Sequence, residues 1–118
     1  MFDRTNEINL LYDFYASLLT EKQREVIRLY HCENLSLSEI GKEFSISRQG
    51  VHDSLKNAEK TLIEYETKLG LIKKFEHTLD IIKSAEGSIG SLIREHGEDK
   101  ALTDKLQGLK RILNELEV

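Results

Sequence analysis

The sequence contains no proline and no tryptophan, and it has a single cysteine and a single methionine in 118 residues. Without proline, no position forces a break in a helical hydrogen-bond ladder. No segment alternates apolar and polar residues as a half-buried strand does, whereas leucine, glutamate, lysine and isoleucine are frequent. The chain is therefore predicted to be all-α, and it is long enough for one domain or for a small domain plus an interaction element.

The single cysteine, Cys32, has no second cysteine with which to form an internal disulfide, and this fits a reducing cytosol. No basic segment followed by an apolar run opens the sequence, and no apolar run is long enough to span a bilayer. We therefore expect a cytoplasmic protein with no membrane span.

Recognisable catalytic and cofactor motifs are also missing from the sequence. Residues 87–90, GSIG, lack the lysine and the following serine or threonine of a P-loop, and no serine stands in a nucleophile elbow. His31 is next to Cys32, but zinc needs three or four convergent ligands and the other histidines lie on separate stretches. The sequence predicts no catalytic residue, no cofactor and no metal site, so we expect that the protein is not an enzyme.

What is present is a pattern typical of a helix-turn-helix, in residues 35–55, LSLSEIGKEFSISRQGVHDSL. Ser36 and Glu39 have the spacing of a capping box, in which each side chain binds a backbone N–H at the start of a helix. Gly41 is small enough for a second helix to approach closely, Ile46 can fill the corner, and Ser47 can cap the second helix. Apolar residues mark the facing sides of the two helices: Leu37, Ile40, Phe44, Val51 and Leu55.

Two further helices are predicted before this motif. The first covers residues 6–17, which are amphipathic, with Thr5 as its expected N-cap. The second covers residues 21–30, with Thr20 as its expected N-cap. Residues 31–34 are predicted to form a short connector.

The second helix of the motif is predicted to be long, because apolar residues continue at alternating spacings of four and three as far as Leu69. Gly70 is the expected end of that helix. A further helical region begins at Leu71, with a bend or break expected at Gly87 and Gly90, and a last helix follows a loop at residues 97–99. We divide the chain into a helix-turn-helix domain, residues 1–70, and a C-terminal helical packing and dimerisation segment, residues 71–118.

The last helix carries a leucine stripe that is long for so small a protein: Leu102, Leu106, Leu109, Leu113 and Leu116. The stripe can be read as internal packing of the C-terminal helices on the long helix. It can also be read as a contact with a second copy of the chain. The helical region after Leu71 carries an apolar face of its own, formed by Phe75, Leu79, Ile82, Ile89 and Ile93. Because the apolar faces of the long helix, this region and the last helix leave one partly uncovered in so small a helical array, we expect a homodimer.

Residues 18–62 resemble the region 4 helix-turn-helix of sigma-70-type factors, through the sequences TEKQREVI, SLSEIG and SRQGVH. The chain as far as Phe75 more closely resembles the YlxM family, small bacterial helix-turn-helix proteins associated with the signal recognition particle. This resemblance implies a sigma region 4-like fold and a non-enzymatic regulatory role. It also implies the RNA or the GTPase of that particle as a partner, and it carries over no catalytic residue.

A helical projection places five polar side chains on or beside the outer face of the second helix of the motif: Arg48, Gln49, His52, Lys56 and Lys60. Gln49 has the chemistry to read adenine and Arg48 to read guanine. Asp53 lies in the middle of the same face, and the chain has a formal net charge of −4. These negative charges weigh against tight operator binding by a single copy, since nucleic-acid affinity depends on neutralising phosphates.

Three functions follow from the sequence as hypotheses. The first is a regulator in the signal recognition particle pathway that uses the helix-turn-helix against RNA or protein. The second is a DNA-binding transcriptional regulator that uses the same face. The third is a protein–protein adaptor in which the motif is only a scaffold.

Overall fold

The computed structural model describes residues 4–116, and the elements in that range are helices, as the sequence predicts. The α-helices are α1 Arg4–Tyr15, α2 Glu21–Ile27, α3 Leu37–Phe44, α4 Arg48–Leu69, α5 Leu71–Glu95 and α6 Lys100–Asn114. A 3₁₀ turn, Ala16–Leu18, follows α1, and one π-helical turn, Arg28–Cys32, continues α2. Within the described range, no helix is both long enough and apolar enough to cross a membrane.

The chain divides into two compact units, Met1–Ile72 and Lys73–Val118. In the first unit, α4 is the helix on which α1, α2 and α3 pack. Its main core is formed by buried side chains of α1, the α2 region, α4 and the start of α5: Ile8, Leu11, Tyr15, Leu19, Val26, Ile27, Leu55, Ala58, Leu62 and Ile72. A second, smaller cluster lies under the helix-turn-helix and contains Leu29, Ile40 and Val51.

The end of α4 is fixed by a hydrogen-bonded group around Tyr15. The Tyr15 hydroxyl donates to Glu66 Oε1 and accepts from the Leu71 N–H at 3.1 Å, and the Ile72 N–H donates to the same Glu66 oxygen at 3.0 Å. Burial and the hydrogen bond to Glu66 raise the pKa of Tyr15. Gly70 has a φ of 61° and ends α4, as predicted, because glycine adopts left-handed backbone without steric cost.

The start of the chain differs from the sequence prediction. Thr5 lies inside α1, so it is not the N-cap of that helix, and its Oγ1 is 3.2 Å from His31 Nδ1. The regular helix ends at Tyr15, and the next three residues form the tighter 3₁₀ turn. Thr20 does cap α2, with a full capping box to Gln23.

The prediction of a connector at residues 31–34 is also wrong for His31 and Cys32, which belong to the π-helical turn. In that turn the Glu33 N–H donates to the Arg28 carbonyl, five residues back. The wider turn brings His31, five residues after Val26, to the buried side, while Tyr30 remains half-buried. Asn34 then leaves the helix with a φ of 57°, a conformation that asparagine tolerates.

In the second unit, α5 runs through Gly87 and Gly90 without the predicted break. A glycine costs a helix interior about 1 kcal/mol, less than leaving the hydrogen bonds of a helix break unmade. The α6 helix begins after Asp99, whose Oδ1 accepts from the Leu102 N–H at 3.1 Å. Ile82 and Leu106 are the buried apolar side chains of this unit among residues 73–116.

Candidate nucleic-acid interface

The helix-turn-helix has the caps that the sequence predicts. Ser36 and Glu39 form the reciprocal capping box of α3, with hydrogen bonds of 2.9 and 3.1 Å. The pKa of Glu39 is lowered, because hydrogen bonds from the Ser36 N–H and from the Ser36 hydroxyl favour its charged carboxylate. Ser47 caps α4 by accepting from the Gly50 N–H at 3.0 Å. Both helices of the motif therefore begin at positions fixed by their own side chains.

The junction between α3 and α4 is tight. Ser45 has a φ of 56°, and the Ile46 N–H donates back to the Gly41 carbonyl at 2.9 Å. A Cβ at Gly41 would lie 2.8 Å from the Ile46 carbonyl oxygen, closer than real Cβ atoms come, so glycine is needed for this turn. Ile46 packs on the cluster that contains Ile40 and Val51 and so fills the corner.

The inner side of α4 is anchored along its length. Val51, Ala58 and Leu62 are fully buried and Leu55 nearly so. Tyr65 is half-buried and Leu69 is exposed, so the apolar seam is covered over four of its six predicted positions. This anchoring holds the opposite side of the first half of α4 towards solvent.

We call the predicted set Arg48, Gln49, His52, Lys56 and Lys60 the outer face of α4. Four of these side chains are exposed, and His52 is partly exposed. The structure therefore brings the predicted residues together on one solvent-accessible side of α4.

Asp53 lies in the middle of the outer face and contacts two of its residues. Its Oδ1 accepts a hydrogen bond from Gln49 Nε2 at 3.0 Å and lies 3.5 Å from His52 Nδ1. Its side chain is two-thirds exposed. The structure shows no ion pair for Arg48 or Lys60 with another described residue, so both cations can meet an external anion.

Lys56 is connected to the interior. Its Nζ lies 3.6 Å from Oε1 of Glu59, a carboxylate that is only 3% exposed. The other oxygen of Glu59 lies 2.6 Å from His31 Nε2, and His31 is 5% exposed. This buried pair ties the π-helical turn to α4, and Thr5 extends it to α1.

Sequence reasoning missed this His31–Glu59 pair. The available signal was Glu59 itself, which falls on the apolar side of α4 between Leu55 and Leu62. Within the part of the chain that the structure describes, no group of three histidine, cysteine or acidic side chains is placed to hold a metal ion.

A cavity of about 150 Å³ lies beside α4, at Ser54 and Asn57. It is lined by Thr20, Lys22, Gln23, Ser54 and Asn57. The hydroxyl of Thr20 and the amide of Gln23 are already engaged in the capping box of α2. Lys22 therefore supplies the positive charge of this cavity, next to the outer face.

Comparison with known proteins agrees with this geometry. The family model described as "UPF0122: Putative helix-turn-helix protein, YlxM / p13 like" matches residues 2–107. A UPF0122 protein of Halalkalibacterium halodurans is 42% identical over 117 residues, which cover 99% of this chain and 100% of the relative.

Two further relatives have the same family name. A UPF0122 protein of Desulforamulus reducens is 45% identical over 113 residues, 92% of each chain. One of Listeria welshimeri is 39% identical over 112 residues, 95% of this chain and 99% of the relative. The resemblance to the YlxM family is thereby confirmed: the chain belongs to the UPF0122 family of YlxM/p13-like helix-turn-helix proteins.

Proposed function

We propose that this protein is a non-enzymatic, cytoplasmic regulator that binds a nucleic-acid duplex through the outer face of α4. The observation that supports this most directly is the presentation of that face. Each helix of the motif begins at a side-chain cap, the junction between the two helices is tight, and the inner side of α4 is buried. These features hold Arg48, Gln49, Lys56 and Lys60 together on the solvent side of α4. Helix-turn-helix proteins present the second helix to the major groove in the same way.

The charge of this surface predicts modest affinity for a single copy. Arg48, Lys56 and Lys60 supply three cations, and Lys22 lies on the flank. Three neutralised phosphates correspond to a slope of about −2.7 for the logarithm of the binding constant against the logarithm of salt concentration. Asp53, in the middle of the face, opposes phosphate contact, so the cations are expected to meet the backbone around it.

B-form DNA is the duplex that this geometry favours. Its major groove is wide enough to admit an α-helix, whereas the major groove of A-form RNA is too narrow and deep for side chains to read. The resemblance to YlxM proteins implies an association with the signal recognition particle. The RNA and the GTPase of that particle are therefore the further partners to test.

Dimerisation through the second unit is part of this proposal. Leu109 and Ile112 lie three residues apart on one face of α6 and are each at least half exposed, as is Leu116 just beyond the end of that helix. Ile81 and Leu92 of α5 are exposed as well. An apolar face of this kind is typical of an interface, and a twofold dimer would place two helix-turn-helix motifs on two half-sites. Two copies would also double the number of phosphate contacts.

The test is a titration of labelled duplex DNA, particle RNA and particle GTPase, side by side, by fluorescence anisotropy at two salt concentrations. Asp53→Lys is expected to tighten binding to DNA, because it replaces a repelled phosphate with a neutralised one. Asp104→Lys makes the same charge change on α6 and is the matched control. Equal affinities for Asp53→Lys and wild type, with the fold intact, would exclude this face as a phosphate contact.

A further inference from the structure

Gln49 and Asp53 are one helical turn apart on α4 and are joined by a hydrogen bond at the centre of the outer face. Gln49 Nε2 donates to Asp53 Oδ1 at 3.0 Å, and both side chains are exposed. The spacing of four residues places the two groups side by side on a helix surface. The contact belongs to the outer face and not to the core, so it affects what that face presents to a ligand.

The hydrogen bond fixes which way the Gln49 amide points. An ionised carboxylate only accepts hydrogen bonds, so the amide must turn its nitrogen towards Asp53 and its oxygen away from it. One N–H of the amide is used in this contact. The remaining N–H and Oε1 lie next to each other, an arrangement that matches N7 and the N6 amino group of adenine.

Asp53 has acceptor capacity left as well. Both of its contacts, with Gln49 and with His52, are made through Oδ1. Among residues 4–116, the structure shows no partner for Asp53 Oδ2. The centre of the outer face thus offers two oxygens, Gln49 Oε1 and Asp53 Oδ2, to an incoming hydrogen-bond donor.

We propose that Asp53 is a positioning residue for Gln49, and that the pair reads exocyclic amino groups in the major groove of duplex DNA. Adenine at the Gln49 position satisfies both free amide groups. An adenine or cytosine beside it donates its amino group to Asp53. Guanine presents only acceptors, N7 and O6, at the same edge of the groove, so the carboxylate repels it.

This inference rests on the proposed function, and it assigns separate roles to the cations and the central pair. Arg48, Lys56 and Lys60 hold the phosphate backbone and set the salt dependence. The Gln49–Asp53 pair sets base preference and costs some non-specific affinity. The negative charge that weakens phosphate contact is, on this view, the source of selectivity.

The experiment is selection of bound sequences from a pool of duplexes with a randomised central segment, performed with full-length wild type and with single variants. Wild type is expected to enrich adenine over guanine at one position, on the order of tenfold, as for a good bidentate contact. Gln49→Ala and Asp53→Ala should each remove this enrichment, and Asp53→Asn should retain part of it, because its amide oxygen still accepts. Glu64→Ala removes the same charge further along α4 and should leave the base preference unchanged.

The outcomes separate this inference from the proposed function. Salt-dependent binding without base preference, or a preference that survives Asp53→Ala, overturns the positioning role and leaves duplex binding in place. Enrichment of guanine also overturns it. If no duplex binds, or if Lys60→Ala binds duplex as well as the control Lys105→Ala does, both the inference and the proposed function fail.

Discussion

The buried pair of His31 and Glu59 is expected to contribute strongly to the stability of the first unit. The side chains are 3% and 4% exposed, and Nε2 and Oε2 are 2.6 Å apart. Breaking a buried pair of this kind by removing one partner typically costs about 3–5 kcal/mol, because the other group stays buried without its partner. The total stability of a small domain is about 5–15 kcal/mol, so a single replacement would remove much of it.

The design is a double-mutant cycle of His31→Leu, Glu59→Leu and the double variant. We expect each single variant to lower the free energy of unfolding by about 3 kcal/mol or more. For a unit of this size that corresponds to a fall in Tm of about 12 °C or more. We expect the double variant to be more stable than the sum of the single effects predicts, by about 0.5–3 kcal/mol, since neither member of the pair is then left buried without the other.

The measurement is urea unfolding followed by circular dichroism, with Glu64→Leu as the control. Glu64 is an exposed acid on the same helix, and its replacement should change stability by no more than about 0.5 kcal/mol. Single effects below about 1 kcal/mol, or a double variant equal to the sum of the singles, would refute the reasoning. In either case the contact would not be an energetic link between the π-helical turn and α4.

Three further predictions concern the motif, its cap and the second unit. Leu55→Ala should cost about 2–4 kcal/mol in urea unfolding, because Leu55 is buried where α4 meets the core, whereas an unchanged midpoint would show that it is not a core residue. The pKa of Glu39 is lowered in the folded state, so its contribution to stability is present above its usual pKa of 4.5 and is lost as pH falls through the folded value. Thermal unfolding between pH 3 and 6 should therefore show a shallower acid dependence for Glu39→Gln, and identical profiles would contradict the cap assignment. Light scattering at micromolar concentration should give twice the chain mass of 13.6 kDa. Ile112→Lys should shift this towards a monomer and Gln107→Lys, at another exposed position of α6, should not; a wild type that stays monomeric would end the dimer hypothesis.

The sequence alone determined the features that depend on neighbours close along the chain. Ser36 with Glu39, Ser47 with Gly50, and Gly70 at the end of α4 are interactions or conformations confined to a few residues. The apolar spacing of α4 likewise determined its buried side, and so the exposure of its outer face. Even the Gln49–Asp53 contact lies within one helical turn, although no local pattern favours it over solvation of both side chains.

Only the tertiary structure decided the features that depend on what lies across the core. The wider turn at Arg28–Cys32 turns His31 inwards, where it meets Glu59, 28 positions away in the sequence. Local helix propensity contains no information about a partner at that distance, and the same is true of Thr5, whose hydroxyl lies beside His31 and does not cap α1. The glycines of α5 show the reverse case: their local preference for a break is about 1 kcal/mol each, too weak to interrupt a 25-residue helix whose hydrogen bonds continue on both sides.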